Sequence, residues 1–552
     1  GQESMLITFQ AYPDEKVVLE GGIKLSNWEN LGNNLYKTTT DFPASMIYES
    51  QQLMNAQYPN QLDAYDTYDL NYFLPVTNPT NTNTELILED DFLANQPDNY
   101  WVGATIVLYD KEGNGIFGNQ AKITSYDSQT HKITFSALPV TVTSGDKYAI
   151  KNHLFLIDQD NEFVTEKIET GTNIYLQSSI NPNQLDIFVS KLGNSFVIGV
   201  WNVPINYITL DGFEIQHYQS RSAWQSRANL ILIGAPKQNI VIKNLNIHDN
   251  LQQGMEINGQ NIIIEKNNIH HNSGTGIGVV GSNVQVLNNH IYNNVGDAIF
   301  FGTGSGDFPS VSNSIIKGNL IHNHESRKVH SDGIQLYRTN NIRIENNIVH
   351  DTGQSIYFSS APNTIFINNL LVNGGAYGMQ VWDQGIQVIH NTILNQQYSA
   401  ILLRPGSEGT IIKNNILQAI NYDSSVLFSE VDEDYNLFTV LSWNQKKTGA
   451  NSFVNANPSF VDEANYNYHL SSTSSAIDKG TNIGVDFDLE GVSRTDNAPD
   501  MGAYEYVKGL LGDLNGDGKV SLIEVLAFIK QIILGNENIS DSLQVINNWR
   551  QG

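Results

Sequence analysis

The chain of 552 residues contains no cysteine. Disulfides, thiolate metal sites and cysteine nucleophiles are therefore excluded, although a core of this size needs no covalent staples. Basic residues are scarce: 30 Lys and Arg stand against 57 Asp and Glu, a formal charge of −27. A field of that sign repels polyanions and argues against nucleic acid as a partner. No run of 18 apolar residues occurs, so no transmembrane helix is expected. The opening GQESMLITFQAYP lacks a charged n-region ahead of an apolar stretch, and a strand-like run begins almost at once. That pattern suggests structure upstream of residue 1 and no signal peptide within the chain. Nucleophile elbow, Walker loop and HExxH are all missing. Against these absences, 40% hydrophobic and 10% aromatic residues supply ample material for a core.

What the sequence has in abundance is repetition. NIVIKNLNIHDN, NIIIEKNNIHHN, NVQVLNNHIYNN, NSIIKGNLIHNH, NIRIENNIVHDT and NTIFINNLLVNG follow one another through the middle of the chain. With IQVIHNTILNQ and TIIKNNILQA, which come next, all but the first phrase put one Asn in register, at 267, 289, 319, 347, 369, 391 and 415, with steps of 22, 30, 28, 22, 22 and 24 residues. Between the phrases sit short second strands such as GMEI, GIGV, AIFF, GIQL and SIYF. Period-two alternation and Asn/Gly turns give two or three strands per unit. A unit of 22 residues is too short for a helical repeat and fits one turn of a parallel β-solenoid. Inward Ile, Val and Leu would stack about 4.8 Å apart, and Asn amides would bond from coil to coil.

This phrase pattern resembles right-handed parallel β-helix proteins, the pectin-lyase-like scaffold of pectin- and alginate-type lyases and many glycoside hydrolases. The resemblance implies the right-handed coil and an extracellular, secreted or cell-surface, carbohydrate-active protein. ITFQAYPDEKVVLEGG looks like an opening rung of such enzymes, and SMIYESQQLMNAQYPN resembles their QLFVNG…ARYPN segment, with Gln57 in place of arginine. LIDQDNEFV is similar to their LD-x-P-G-E-W phrase, and PDMGAYEY (499–506), within the closing stretch 500–507, to their closing strand. The expected organisation is early coils over 1–60, an inserted β module over 61–155, the parallel β-helix over 156–507 and a tail over 508–552.

The tail carries DLNGDGKVSLIE, which fits the twelve-residue calcium loop. Asp513, Asn515 and Asp517 hold positions 1, 3 and 5, and Gly518 makes the sharp turn. Lys519 offers its carbonyl, Ser521 stands at position 9 and Glu524 is the bidentate ligand. Hard oxygen ligands at this spacing select Ca²⁺. A helix ending at Gly535 follows. GDLNGDGKVS also resembles the loop of dockerin modules, which implies a cohesin-like partner; residues 536–552 offer no second ligand loop.

Chemistry on a solenoid sits where equivalent positions of neighbouring coils form columns. The residue ahead of the small first residue of each second strand gives the column Gln253, Thr275, Asp297, Asp332, Gln354, Tyr377, Ser399. Asp297 and Asp332 thus become lateral neighbours, with carboxyls expected about 4–7 Å apart, a separation that suits a glycosidase pair. Paired carboxylates supply an acid and a base; the alternative is that both simply bond turn amides. The two longest steps add loops at 302–312 and 323–332 beside this pair, and the second contains Glu325, Arg327, Lys328 and His330. HSDGIQLY resembles an H-x-D-G segment of β-helix active sites, which implies a role for His330. Phe300, Tyr337, Tyr357 and Trp382 face outward on the same strands, with Arg404 beyond, as sugar-stacking rings and a carboxylate or sulfate grip. His248, His270, His322 and His350 share a column and read as structural stacking.

Three functions follow. The leading one is glycoside hydrolysis of a polysaccharide by Asp297 and Asp332, with His330, Arg327 and Lys328 orienting substrate. A second is a calcium-assisted polysaccharide lyase, the Asp pair holding the ion and Lys328 or His330 taking the proton. The third is a non-catalytic surface rod that adheres, or self-assembles into a layer or filament.

Overall fold

The computed structural model describes residues 6–62, 64, 70–109, 111, 119–192, 196–198, 205–219, 229–233, 237–251, 253–302, 310–324, 331–442, 448–494, 498–507 and 525. One coil shows the unit. Asp332–Tyr337, Thr339–Glu345 and Ile348–Thr352 form a front, a side and a back strand. Each pairs in parallel with its counterpart in the next coil, so that inward residues stack. On the front, Met255, Ile277, Ile299, Ile334, Ile356, Met379, Ile401 and Ile420 are in register. On the back, Ile247, Ile269, Ile291, Ile321, Val349 and Leu371 follow the same rule. All are fully buried and join one continuous core.

The corner between side and back strands is held by the asparagine ladder. The Nδ2 of Asn267 donates to Asn289 Oδ1 at 2.9 Å, and the chain of bonds continues through Asn319, Asn347, Asn369, Asn391 and Asn415 to Asn436. Each amide also reaches a buried carbonyl of the preceding coil, as Asn347 does to Ile316 O at 2.9 Å. The residue ahead of the ladder takes the left-handed conformation at Asn288, Gly318, Asn346, Asn368 and Asn414, which turns the chain in two residues. At the opposite corner the front strand begins on a small residue because the back strand leaves no room. A Cβ on Gly333 would meet Val349 Cγ1 at 2.5 Å, and one on Gly378 would meet Ile393 Cγ2 at 2.4 Å.

The first coil is split in sequence. Ile7–Gln10 and Val17–Glu20 pair in parallel with Ile205–Asp211 and Phe213–Gln216. Between them the pairing is mostly antiparallel, Met54–Asn55 with Glu162–Ile168 being a parallel exception, and it extends over a wider span than 61–155. Gly22–Lys24 and Ile47–Tyr48 pair with Phe188–Ser190, and Leu35–Thr40 pairs with Gly171–Gln177. Residues 22–60 are thus not early coils, nor are 162–190 part of the parallel run. Alternation reports that a strand is half-buried but carries no information on its partner's direction. The centre of this module is the sheet of Thr105–Tyr109, Asn119–Asp127, Lys132–Phe135 and Lys147–Lys151, over a core that includes Trp101, Ile106, Leu108 and Ile150.

At the other end, 500–507 is not a strand. Its N–H groups are divided among mixed partners: Tyr506 N donates to Asp500 Oδ2 at 2.5 Å and Glu505 N to Asp488 Oδ2 at 2.9 Å, whereas Gly502 N donates to the Asn414 carbonyl at 2.7 Å and Ala503 N to Thr392 Oγ1 at 3.0 Å. The buried Arg494 ties the segment together through Glu505 (2.6 Å) and the carbonyl of Gly502 (2.9 Å). Met501 and Ala503 then seal the core beside Leu370, Ile416 and Leu437. Among the described residues no helix is long and apolar enough to cross a membrane. The tail with Asp513, Asn515, Asp517, Lys519, Ser521 and Glu524 lies outside the described residues.

Candidate functional site

The front register aligns the acidic pair. Ile299 faces Ile334, so Asp297 stands beside Asp332, and the Ala298 N–H donates to the Asp332 carbonyl at 2.9 Å. Gln354 follows Asp332 in the next coil. The contact between the two residues is specific: the backbone N–H of Asp332 donates to Asp297 Oδ1 at 2.9 Å. Both side chains are largely covered, Asp297 at 7% and Asp332 at 4% exposure. Asp297 therefore does part of what a turn-capping carboxylate does, its carboxylate set against the backbone of Asp332.

A residue that periodicity gives no reason to single out supports this corner. His324, 1% exposed, has Nδ1 3.1 Å from the carbonyl of Gly296, immediately ahead of Asp297. Burial pulls its pKa down to about 4, so the ring is neutral and its Nδ1 proton points at that carbonyl. Ser331 Oγ in turn donates to the His324 carbonyl at 2.8 Å, joining the loop of Asp297 to that of Asp332. The one signal in the sequence is its place two residues beyond the stacked His column.

Downstream coils add aromatic and basic groups on the same face. Phe300, Gln335 and Tyr357 are in register and half-buried. Burial holds the Tyr357 hydroxyl above its ordinary pKa, Asp332 and Tyr337 push it further, and Arg404 opposes them. Asp332, Tyr337, Tyr357 and Arg404 thus share one electrostatic neighbourhood. The Arg404 guanidinium lies 4.8 Å from the centre of the Trp382 ring and 3.3 Å from the Asp423 carboxylate. Trp382 Nε1 and Arg404 Nε are buried donors with no hydrogen-bond partner among the described residues. Arg327, Lys328 and His330, together with Glu325, lie outside the described residues.

The other histidines behave as a stack. His248 lies 4.8 Å from His270, and His322 lies 4.9 Å from His350, both with rings parallel within 3°. Tyr292 fills the intervening place, 4.7 Å from His270 and 5.1 Å from His322.

Comparison with known proteins bears on the scaffold. A family model described as a right handed beta helix region matches residues 229–393 and 332–439. No curated protein matches the chain in sequence. Among solved structures, a glycoside hydrolase is similar with a TM-score of 0.52 at 12% identity, over 79% of this chain and 83% of its own. The complex of XylC with xylose is similar with a TM-score of 0.51 at 14% identity, over 91% of this chain and 89% of its own. At such identities the likeness establishes a common architecture. The chain is an all-β protein built on a right-handed parallel β-helix.

Proposed function

We propose that the chain degrades a polysaccharide by glycoside hydrolysis on its front face. The observation that carries this reading is the in-register Asp297–Asp332 pair with Tyr337, Tyr357, Trp382 and Arg404 on the coils that follow. In this scheme Asp297 is the anionic partner, because its Oδ1 accepts the Asp332 N–H. Asp332 donates its proton to the leaving glycosidic oxygen while Asp297 serves as base or nucleophile. Tyr337, Tyr357 and Trp382 present ring faces to sugars, and Arg404 grips an acidic substituent. Arg327, Lys328 and His330 would orient the substrate. The similar structures described as a glycoside hydrolase and as a complex with xylose support the same substrate class.

A second reading has its own support. Both carboxylates are covered, and one oxygen of Asp297 already holds a backbone N–H. A glycan-binding or self-assembling rod without turnover would keep them in that structural role. A reducing-sugar assay over a panel of polysaccharides separates the two. Turnover by the native chain that disappears in Asp332→Asn, with the melting temperature retained, supports hydrolysis. No turnover of any glycan, or a variant as active as the native chain, supports the rod.

Under either reading we place the protein outside the cell, where calcium would fill the loop of Asp513, Asn515, Asp517, Lys519, Ser521 and Glu524. The tail would then dock with a cohesin-like partner. Calcium titration of the full chain, with Glu524→Gln as the control, tests the loop.

A further inference from the structure

Away from the front face, a cavity of about 410 Å³ lies between the antiparallel module and the corner that leads into the front strands. The outer face of the module's sheet forms one side. Lys151 pairs there with Gln57 and with Thr105, which places the three in one row, and Val107 pairs with Gln120 in the next. The solenoid forms the other side through successive coils, at Leu251, Ser273 and Val295. His271 joins this wall, its Nε2 2.9 Å from Asn293 Nδ2. Side-chain amides and hydroxyls recur in the lining, among them Gln57, Gln120, Asn152, Thr165 and Ser273, with Asn152 and Thr165 bonded to each other, and Phe73 and Tyr109 add ring surface.

Two features give this cavity a chemical preference. First, its walls are those of a sugar site: directional amide and hydroxyl groups around a small aromatic surface, in a volume within the range of ligand pockets. Second, its charge is inverted relative to the molecule. Acidic residues outnumber basic ones 57 to 30 in the chain, yet among the described residues no Asp or Glu lines the cavity, whereas Lys151 does. Among the described residues no ion pair holds the Lys151 ammonium. Burial lowers its pKa to about 8, with Lys122 adding repulsion, so the group is still largely protonated at pH 7, with no carboxylate paired to it among the described residues. An enclosed cation without a carboxylate gains most from a ligand that brings one.

We propose that this cavity is a second carbohydrate site that takes an acidic sugar, with the uronate carboxylate on Lys151 and the ring hydroxyls on the surrounding amides. It does not depend on catalysis at Asp297 and Asp332. A site of this kind lets the module hold one acidic residue of a glycan while the rest of the polymer lies elsewhere on the surface.

The test is calorimetric titration of the full chain with D-glucuronate and D-galacturonate, and with D-glucose as the neutral control. Saturable binding of at least one uronate is expected, at least about tenfold tighter than glucose. Lys151→Gln should weaken uronate binding by about tenfold or more while leaving glucose unchanged. Gln120→Trp, at an exposed position of the lining, should occlude the cavity and abolish binding of both; it also keeps the test available if Lys151→Gln fails to fold. No saturable uronate binding, glucose bound as tightly as uronate, or unchanged uronate affinity in either folded variant would overturn the proposal. Because the probes are monosaccharides and the readout is binding, failure here is separate from failure of hydrolysis on the front face.

Discussion

Two outer columns of the solenoid have the same coil spacing and opposite characters. On the back, His248, His270, Tyr292, His322 and His350 repeat a flat ring at 4.8, 4.7, 5.1 and 4.9 Å. On the front, Gln253, Thr275, Asp297, Asp332, Gln354, Tyr377 and Ser399 change identity from coil to coil. A repeated residue has the next coil as its partner, and the stack itself explains it. A column that varies has partners of other kinds. Ser399 Oγ bonds its own strand at Ile401 O (3.0 Å), Gln354 Nε2 does the same at Ile356 O (2.9 Å), and Asp297 holds the N–H of Asp332. Variation is where chemistry beyond the scaffold has room to arise, and there Asp297 and Asp332 adjoin through a backbone-to-carboxylate bond.

The contrast can be broken from the inside out. The largest effect belongs to the asparagine ladder, a repeated column that is buried as well. Asn347 is fully buried; it donates to Ile316 O, Glu345 O and Asn369 Oδ1 and accepts from the Asn319 backbone and side chain. Asn347→Leu strands several of these groups and should cost about 3 kcal/mol or more, read as a lower urea midpoint. Next comes the corner that starts the front strand. Gly333→Ala puts a Cβ against Val349 Cγ1 at 2.5 Å and the Ser355 carbonyl at 2.7 Å. A loss of about 1–3 kcal/mol is expected in the same experiment.

The smallest effect is in the ring stack, and it appears only in acid. Burial lowers the pKa of His270 to about 3 and of His322 to about 4, with neighbouring histidines adding repulsion. The unfolded chain protonates near 6.5 while the folded rings stay neutral, so their contribution to stability is lost as pH falls from about 6.5 towards 4 and 3. His248 runs the other way. Its burial is outweighed by Asp249 and Glu214, which raise its pKa, so its contribution is present in acid and lost as pH rises through that raised value. Tyr292 shows that a non-titrating ring fits the column. His322→Tyr should therefore leave stability at pH 7 nearly unchanged. Between pH 7 and 4.5 it should reduce the fall by about 1 kcal/mol, solvent screening limiting the effect at a partly exposed ring.

Much of the scaffold is legible in sequence because its energetics repeat. The steps between ladder asparagines locate every coil from 267 to 415, and the same register puts Asp297 beside Asp332. The limits of the antiparallel module are not legible, since Leu35–Thr40 alternates as a coil strand would but finds its partner at Gly171–Gln177. The segment at 500–507 reads as a strand from its composition, yet Asp488, Asp500 and Glu505 capture three of its N–H groups and the others go to scattered acceptors. His324 is hidden because its role depends on burial against Gly296, and the Lys151 cavity because its walls come from segments more than a hundred residues apart.

The ladder closes with the same geometry whether 22, 28 or 30 residues separate its members: Asn267 to Asn289, Asn289 to Asn319 and Asn319 to Asn347 all bond at 2.9 or 3.0 Å. Added length is therefore invisible to the core and is shed at the corners. Such a frame can exchange its ornaments freely. Changing the number of residues between Gly302 and Ser310, or between His324 and Ser331, should leave the ladder spacing as it is.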